Sequence, residues 1–183
     1  MSSLKKIDLQ LMSELLKNCR RSDRDLAKVI GTSQPTIYRS RTKLEKERLI
    51  DSYVAIPDFA KLGFEIMAFS FYSWRFEATE KLARNSEIVM RKFYTFLENH
   101  KNIIFTSNGR GFGMERMMLS VHKSYDDYVK LMRVVSREWG DYVSKTNSFV
   151  VSLQQDIAGS KLNFKHFADY LLKELTHNKK IKS

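Results

Sequence analysis

Between residues 22 and 48 the chain is punctuated in a way that few folds accommodate. Ser22 precedes Asp23 and Asp25, Gly31 interrupts the apolar periodicity, and Thr32-Ser33-Gln34-Pro35 starts it again. Ser22 is a natural N-cap, and the two aspartates suit the positive end of a helix. Gly31 supplies a left-handed stop. Ser33 offers a second cap, and Pro35 costs little in a first turn, where its missing N–H has no partner in any case. The spacing predicts a short helix from Asp23 to Ile30 and a longer one from about Gln34 to Arg48. Two helices joined by a tight glycine turn form a helix-turn-helix. Before them, Leu4, Ile7, Leu11 and Leu15 recur at helical spacing, with Met12 and Leu16 widening the stripe, so 4–18 reads as an amphipathic helix.

At 100° per residue, Ile37 and Leu44 of the third helix point inward. Pro35, Thr36, Arg39, Thr42, Lys43 and Lys46 fall on the opposite side, with Tyr38 at its margin. This face has three cations, two hydroxyls and no carboxylate. It is suited to docking on phosphates while Arg39 reaches a guanine edge and threonine methyls meet thymine. A plain solvated helix is the bland alternative, but Glu45 and Glu47 lie elsewhere on the helix, and that segregation favours DNA. Thr36, Tyr38 and Arg39 are expected to read sequence, and Lys43, Lys46 and Arg21 to hold phosphates. Ser33, Gln34 and Thr42 complete the expected interface. Ser52 to Ile56 is β-prone and is expected as a short wing or linker strand.

Lys and Arg exceed Asp and Glu by 32 to 21, a net charge of +11. Residues 1–60 carry twelve basic and eight acidic side chains, and residues 161–183 carry six and two, so the excess is densest at the two ends. An anionic partner is implied, though not a fold. Hydrophobic residues make up 43% of the chain, which excludes wholesale disorder. One cysteine, Cys19, allows no intrachain disulfide. No run approaches the roughly 20 apolar residues of a membrane span, and no secretory leader is expected. A cytoplasmic protein is expected, with no cofactor and no metal.

From residue 64 the pattern changes. Residues 65–74 are β-prone, and 79–99 carry a helical stripe of Leu82, Ile88, Val89, Phe93, Phe96 and Leu97. A strand is expected at 102–107, a loop at 108–113, a strand at 116–122, a helix at 125–143 and a strand at 149–153. The order is that of the ferredoxin-like βαββαβ arrangement, a four-stranded antiparallel sheet with both helices on one face. An apolar face left bare on such a sheet implies association, so a dimer is expected. The glycines of 109–113 join two strands and open no helix, so they match neither a dinucleotide fingerprint nor a P-loop. A hairpin connection is the bland reading. A ligand loop built from Gly109, Arg110, Gly111 and Gly113 is the functional one, with Arg110 for an anionic group. Phe164, Phe167, Ala168, Leu171, Leu172 and Leu175 follow a strong amphipathic pattern. That helix either packs on its own domain or crosses to a partner subunit. Lys179, Lys180 and Lys182 form a frayed basic end.

The architecture expected is therefore α+β. It comprises a winged helix-turn-helix over 1–56, a linker over 57–63, a ferredoxin-like domain over 64–156 and a helical extension with a basic tail over 157–183.

Ile7-Asp8, Leu11, Leu15, Arg20, Leu26-Ala27, Gly31, Ser33 to Ile37, Arg39, Leu44-Glu45, Leu49-Ile50, Tyr53, Ala55 and Leu62-Gly63 together resemble the leucine-responsive/asparagine-synthesis regulator (Lrp/AsnC) family. The resemblance implies a transcription regulator that dimerises through its carboxy-terminal domain and often assembles further. It also implies a small effector, frequently an amino acid, bound between subunits near Gly109 to Gly113. Arg41 stands where that family usually has an aliphatic residue, and is expected to extend past the core toward a phosphate. The family's glycine segment usually leads into an Asp, whereas here Met114-Glu115 follows. Two other classes remain. Sirohaem decarboxylases resemble the same two-domain architecture, and Arg110, Arg116 and His122 are the local candidates for such an enzyme. A non-specific architectural DNA-binding protein would need charge alone.

Overall fold

A computed structural model describes residues 4–78, 86–154 and 164–177. The chain divides into two compact units, residues 1–56 with 161–183, and residues 57–160. The expected basic end at Lys179, Lys180 and Lys182 lies outside the described residues, as do 79–85 of the helix expected over 79–99 and 155–163 before the last one.

The first unit is helical: α1 spans Lys6–Lys17, α2 Asp23–Ile30, α3 Gln34–Lys46 and, from the end of the chain, α6 Lys165–His177. Leu11, Leu15, Leu26, Ala27, Ile37 and Leu44 form its core. The punctuation works as the sequence implies. Ser22 Oγ accepts from Asp25 N at 3.2 Å and Ser33 Oγ from Thr36 N at 3.4 Å. Gly31 ends α2 at φ +76°, donating its N–H to Ala27 O at 3.0 Å. The third helix stops at Lys46 rather than Arg48, because Arg48 itself turns left-handed at φ +53° and Leu49 N returns to Leu44 O at 2.8 Å.

Helix α6 packs on α1 within the first unit. Ala168 is fully buried, and Lys17 Nζ meets Asp169 Oδ1 at 2.9 Å. Projected at 100° per residue, Leu9, Ser13 and Leu16 lie opposite Leu11 and Leu15. The stripe that reads as one broad face is therefore two faces, with α1 held between the helix-turn-helix core and α6. Residues 52–56 form no strand. No β-edge lies beside them among the described residues of this unit, so their expected wing has nothing to pair with.

The second unit contains β1 (Ile66–Trp74), α4 (Ser86–Asn99), β2 (Ile103–Gly111), β3 (Met114–His122), α5 (Tyr125–Trp139) and β4 (Val143–Ser152). The sheet runs β2-β3-β1-β4 and is antiparallel throughout, the βαββαβ arrangement. Tyr72, Met118, Val89, Phe96, Leu131, Val135 and Trp139 bury one face under both helices. On the other face the pairs Phe69–Leu119, Phe69–Phe149 and Phe71–Met117 lie uncovered by any described helix of the unit.

Three boundaries differ from the sequence reading. Helix α5 ends at Trp139, and β4 begins at Val143 instead of 149. Its early residues are polar because β4 is an edge strand, where exposed polar side chains are the rule. The expected loop at 108–113 is mostly strand. Gly111 pairs with Met114, leaving a two-residue turn of Phe112 and Gly113. Both have positive φ, +54° and +69°, the geometry of a type I′ hairpin.

Candidate nucleic-acid interface

Helix α3 presents Gln34, Pro35, Tyr38, Arg39, Thr42 and Lys46 as exposed side chains, with Tyr38 62% exposed. Thr36 is less free than its position suggests: its hydroxyl shares a 2.7 Å hydrogen bond with that of the capping Ser33. That bond fixes the first turn of α3, the end that recognition helices bring to base edges.

Two of the expected phosphate contacts are engaged inside the protein. Lys43 Nζ donates to Asp8 Oδ2 at 2.7 Å, and Ser40 Oγ donates to Asp8 Oδ1 at 2.5 Å. The backbone N–H of Lys5 adds a third bond at 2.9 Å. Asp8 is only 2% exposed. Burial alone pushes its carboxyl upward, but bonds from Lys43, Ser40 and Lys5 outweigh that and hold it below the ordinary carboxylate value. The same bond raises the Lys43 ammonium. The Arg21 guanidinium is likewise paired, with Glu14. Neither Arg39 nor Lys46 makes an ion pair among the described residues, so these two cations remain for an external anion.

Arg41 does not extend to solvent as expected. Its Nε and Nη2 converge on Asp23 Oδ1 at 2.9 and 2.7 Å, and its Nη1 donates to Tyr53 Oη at 3.1 Å. Tyr53 in turn donates to Glu45 Oε1 at 2.7 Å. Arg41 thus locks α3 to the start of α2 and to the chain leaving α3. Sequence reasoning also passed over Arg24 and Lys28, both exposed on α2, one turn apart and without an ion pair among the described residues. Their i, i+4 spacing was the available signal.

The second group of expected residues lies in the second unit. Gly109, Arg110 and Gly111 are exposed on β2, and Gly113 is in the turn. No open glycine loop exists there to wrap a ligand. Glu115, next along, accepts from Trp74 N at 3.0 Å. His122 is buried, with Nε2 2.8 Å from Ser120 Oγ and Nδ1 3.3 Å from Asn102 Nδ2. Burial lowers its pKa, although Asp127 acts the other way. The Asn102 amide donates to Nδ1, which leaves the proton on Nε2. The described residues include no cluster of three His, Cys, Asp or Glu side chains able to hold a metal, and no helix long and apolar enough to cross a membrane.

The chain thus joins a helix-turn-helix with a polar, cationic third helix to a βαββαβ sheet unit. Residues 4–45 match the family model of the AsnC-type helix-turn-helix domain. An uncharacterized HTH-type transcriptional regulator of Pyrococcus abyssi is 41% identical over 64 residues, 35% of this chain and 43% of that protein. Another, from Pyrococcus furiosus, is 27% identical over 111 residues, 61% of this chain and 68% of that one. The match to the Pyrococcus abyssi relative thus spans less than half of that protein's length. Among solved structures, LrpC of B. subtilis matches with a TM-score of 0.67 at 22% identity, covering 86% of this chain and 99% of that one. An L-Met complex of a transcriptional regulator from Neisseria meningitidis matches with a TM-score of 0.67 at 16% identity, covering 90% and 99%. The fold is that of the Lrp/AsnC regulators.

Proposed function

We propose that the chain is a sequence-specific, double-stranded-DNA-binding transcription regulator that works in the cytoplasm as a homodimer or a larger assembly, without catalytic activity. The observation that carries the reading is the α3 surface. Tyr38, Arg39, Thr42 and Lys46 are exposed together, while Asp8, Asp23 and Glu45 are tied to Lys43, Arg41 and Tyr53. Arg39 is placed to read a base edge, Lys46 to meet a phosphate, and Arg24 and Lys28 to add backbone contacts from α2. Dimerisation is supported by the uncovered sheet face, where Phe149 is 67% exposed and Phe105 is half exposed. A two-fold dimer would set two copies of α3 in successive major grooves about 10 bp apart, or a multiple of that. A small effector is part of the reading, supported by the amino-acid complex of the Neisseria protein.

The test is selection of bound duplexes from a random pool near physiological salt, with Arg39→Ala in parallel. A two-fold symmetric consensus lost in the variant is the expected result. Binding that fades steeply with salt but enriches no sequence would replace this reading with an architectural one.

A further inference from the structure

Within the second unit, α4, α5 and the helix-bearing sheet face enclose a cavity of about 70 Å³ that opens to solvent. Its walls are mainly aromatic and aliphatic: Tyr72, Trp74, Phe93, Phe96, Met118 and Trp139. One charged residue lines it among the described residues, Arg116, and no carboxylate does.

Arg116 is half-buried, and its hydrogen-bond partners are neutral. Nε donates to Thr106 Oγ1 at 3.3 Å and Nη1 to Asn108 Oδ1 at 3.2 Å. Its guanidinium carbon sits 3.8 Å from the centre of the Phe93 ring. Burial draws the group below its ordinary pKa, and no carboxylate pairs with it among the described residues. A second donor in the same lining is also unsatisfied: the indole N–H of Trp139 is buried without a hydrogen-bond partner. A half-buried cation with no anion beside it among the described residues, and a buried donor without an acceptor, each cost free energy. An anionic oxygen-bearing ligand on Arg116 would relieve the first of these.

The size of the cavity narrows the class. A water needs roughly 10–15 Å³ of such space, so this volume takes about five or six non-hydrogen atoms. We propose that the second unit binds a small aliphatic monocarboxylate here, with its chain among the aromatic walls and its carboxylate on Arg116. A phosphate or a dicarboxylate would bring charge into a lining that is otherwise apolar. None of residues 109–113 lines the site, and it does not depend on the DNA-binding reading.

The chain contains two tryptophans, Trp74 and Trp139, and both line the cavity. Tryptophan emission therefore reports on it directly. The full chain is titrated with sodium butanoate at constant ionic strength, and separately with butanamide, which has the same shape without the charge. A saturable emission change is expected with butanoate, in the millimolar range for so small a ligand, and at least roughly tenfold weaker with butanamide. Hexanoate should bind more weakly than butanoate, because its chain exceeds the available length. Arg116→Met, with circular dichroism confirming its fold, should remove the preference for the acid. Should that variant fail to fold, the acid-against-amide comparison on the natural chain still decides. Absence of a saturable change, equal responses to acid and amide, or a response that chloride reproduces would each overturn the proposal. No DNA enters the experiment, so its outcome is independent of whether α3 reads sequence.

Discussion

Asp8 and Lys43 join α1 to α3 through a 2.7 Å ion pair in which the carboxylate is buried and the ammonium lies at the margin of the α3 surface. With Ser40 on the second oxygen, Asp8 sets how α3 rests on α1. A cation that seems available to DNA from its position along the helix is therefore a strut, and the orientation of Arg39 and Lys46 rests partly on a carboxylate more than thirty residues away in sequence.

Asp8→Ala should lower the stability of the helix-turn-helix by about 1–3 kcal/mol, because Ser40 loses its buried acceptor. Thermal unfolding followed by circular dichroism measures this. A change within a few tenths of a kcal/mol would mean that water replaces the carboxylate fully.

The same residue makes acid stability predictable in sign. Its folded pKa is lower than its unfolded one. Its contribution is thus complete above the unfolded value, near 4, and is lost as pH falls through the lower folded value. Urea midpoints recorded from pH 6 down to 2 should drop less steeply in Asp8→Ala than in the natural chain. Parallel curves would remove Asp8 from the acid transition.

Arg39 and Lys46 should separate two modes of contact. Arg39→Ala is expected to cost about 1–3 kcal/mol on a selected site and to relax its sequence. Lys46→Ala should weaken matched and random DNA alike and flatten the salt slope by about one unit. Equal losses on both DNAs for Arg39→Ala would reassign it to a phosphate.

Phe149→Asp places a charge on the uncovered sheet face, on a side chain already 67% exposed. Light scattering after size exclusion should show a dimer for the natural chain and a monomer for the variant, with an unchanged far-UV spectrum. A monomeric natural chain at micromolar concentration would remove the sheet face from the assembly.

Gly113 occupies the left-handed region at φ +69° in a two-residue turn, with open space where a side chain would stand. Gly113→Val should cost about 1–2 kcal/mol from backbone strain alone, as no atom is displaced. Gly109→Val on β2 is the control, since that glycine has no such φ and its surroundings are equally open. Equal losses from both would place the cost in strand packing.

The helix-turn-helix is legible in the sequence because its determinants are local. Ser22, Gly31, Ser33 and Pro35 act on the backbone within a few residues of themselves, and Ile37 and Leu44 fall on one face by helical geometry. The order of strands and helices is legible for the same reason. The misplaced strand ends show the limit. Residues 143–148 and 108–111 have the composition of loops, yet the first pair with β1 from far along the chain and the second with β3 across a tight hairpin.

By itself the sequence determined the capped helices, the βαββαβ order and the exposed polar face of α3, since each follows from neighbours within a turn or two. The tertiary structure decided which cations are free. Lys43, Arg21 and Arg41 are all expected at phosphates from the sequence, but Asp8, Glu14 and Asp23 engage them through contacts that only packing creates. It also decided the double face of α1 and the isolation of Arg116 in an aromatic cavity. Each depends on residues brought together across long stretches of chain, where periodicity carries no information.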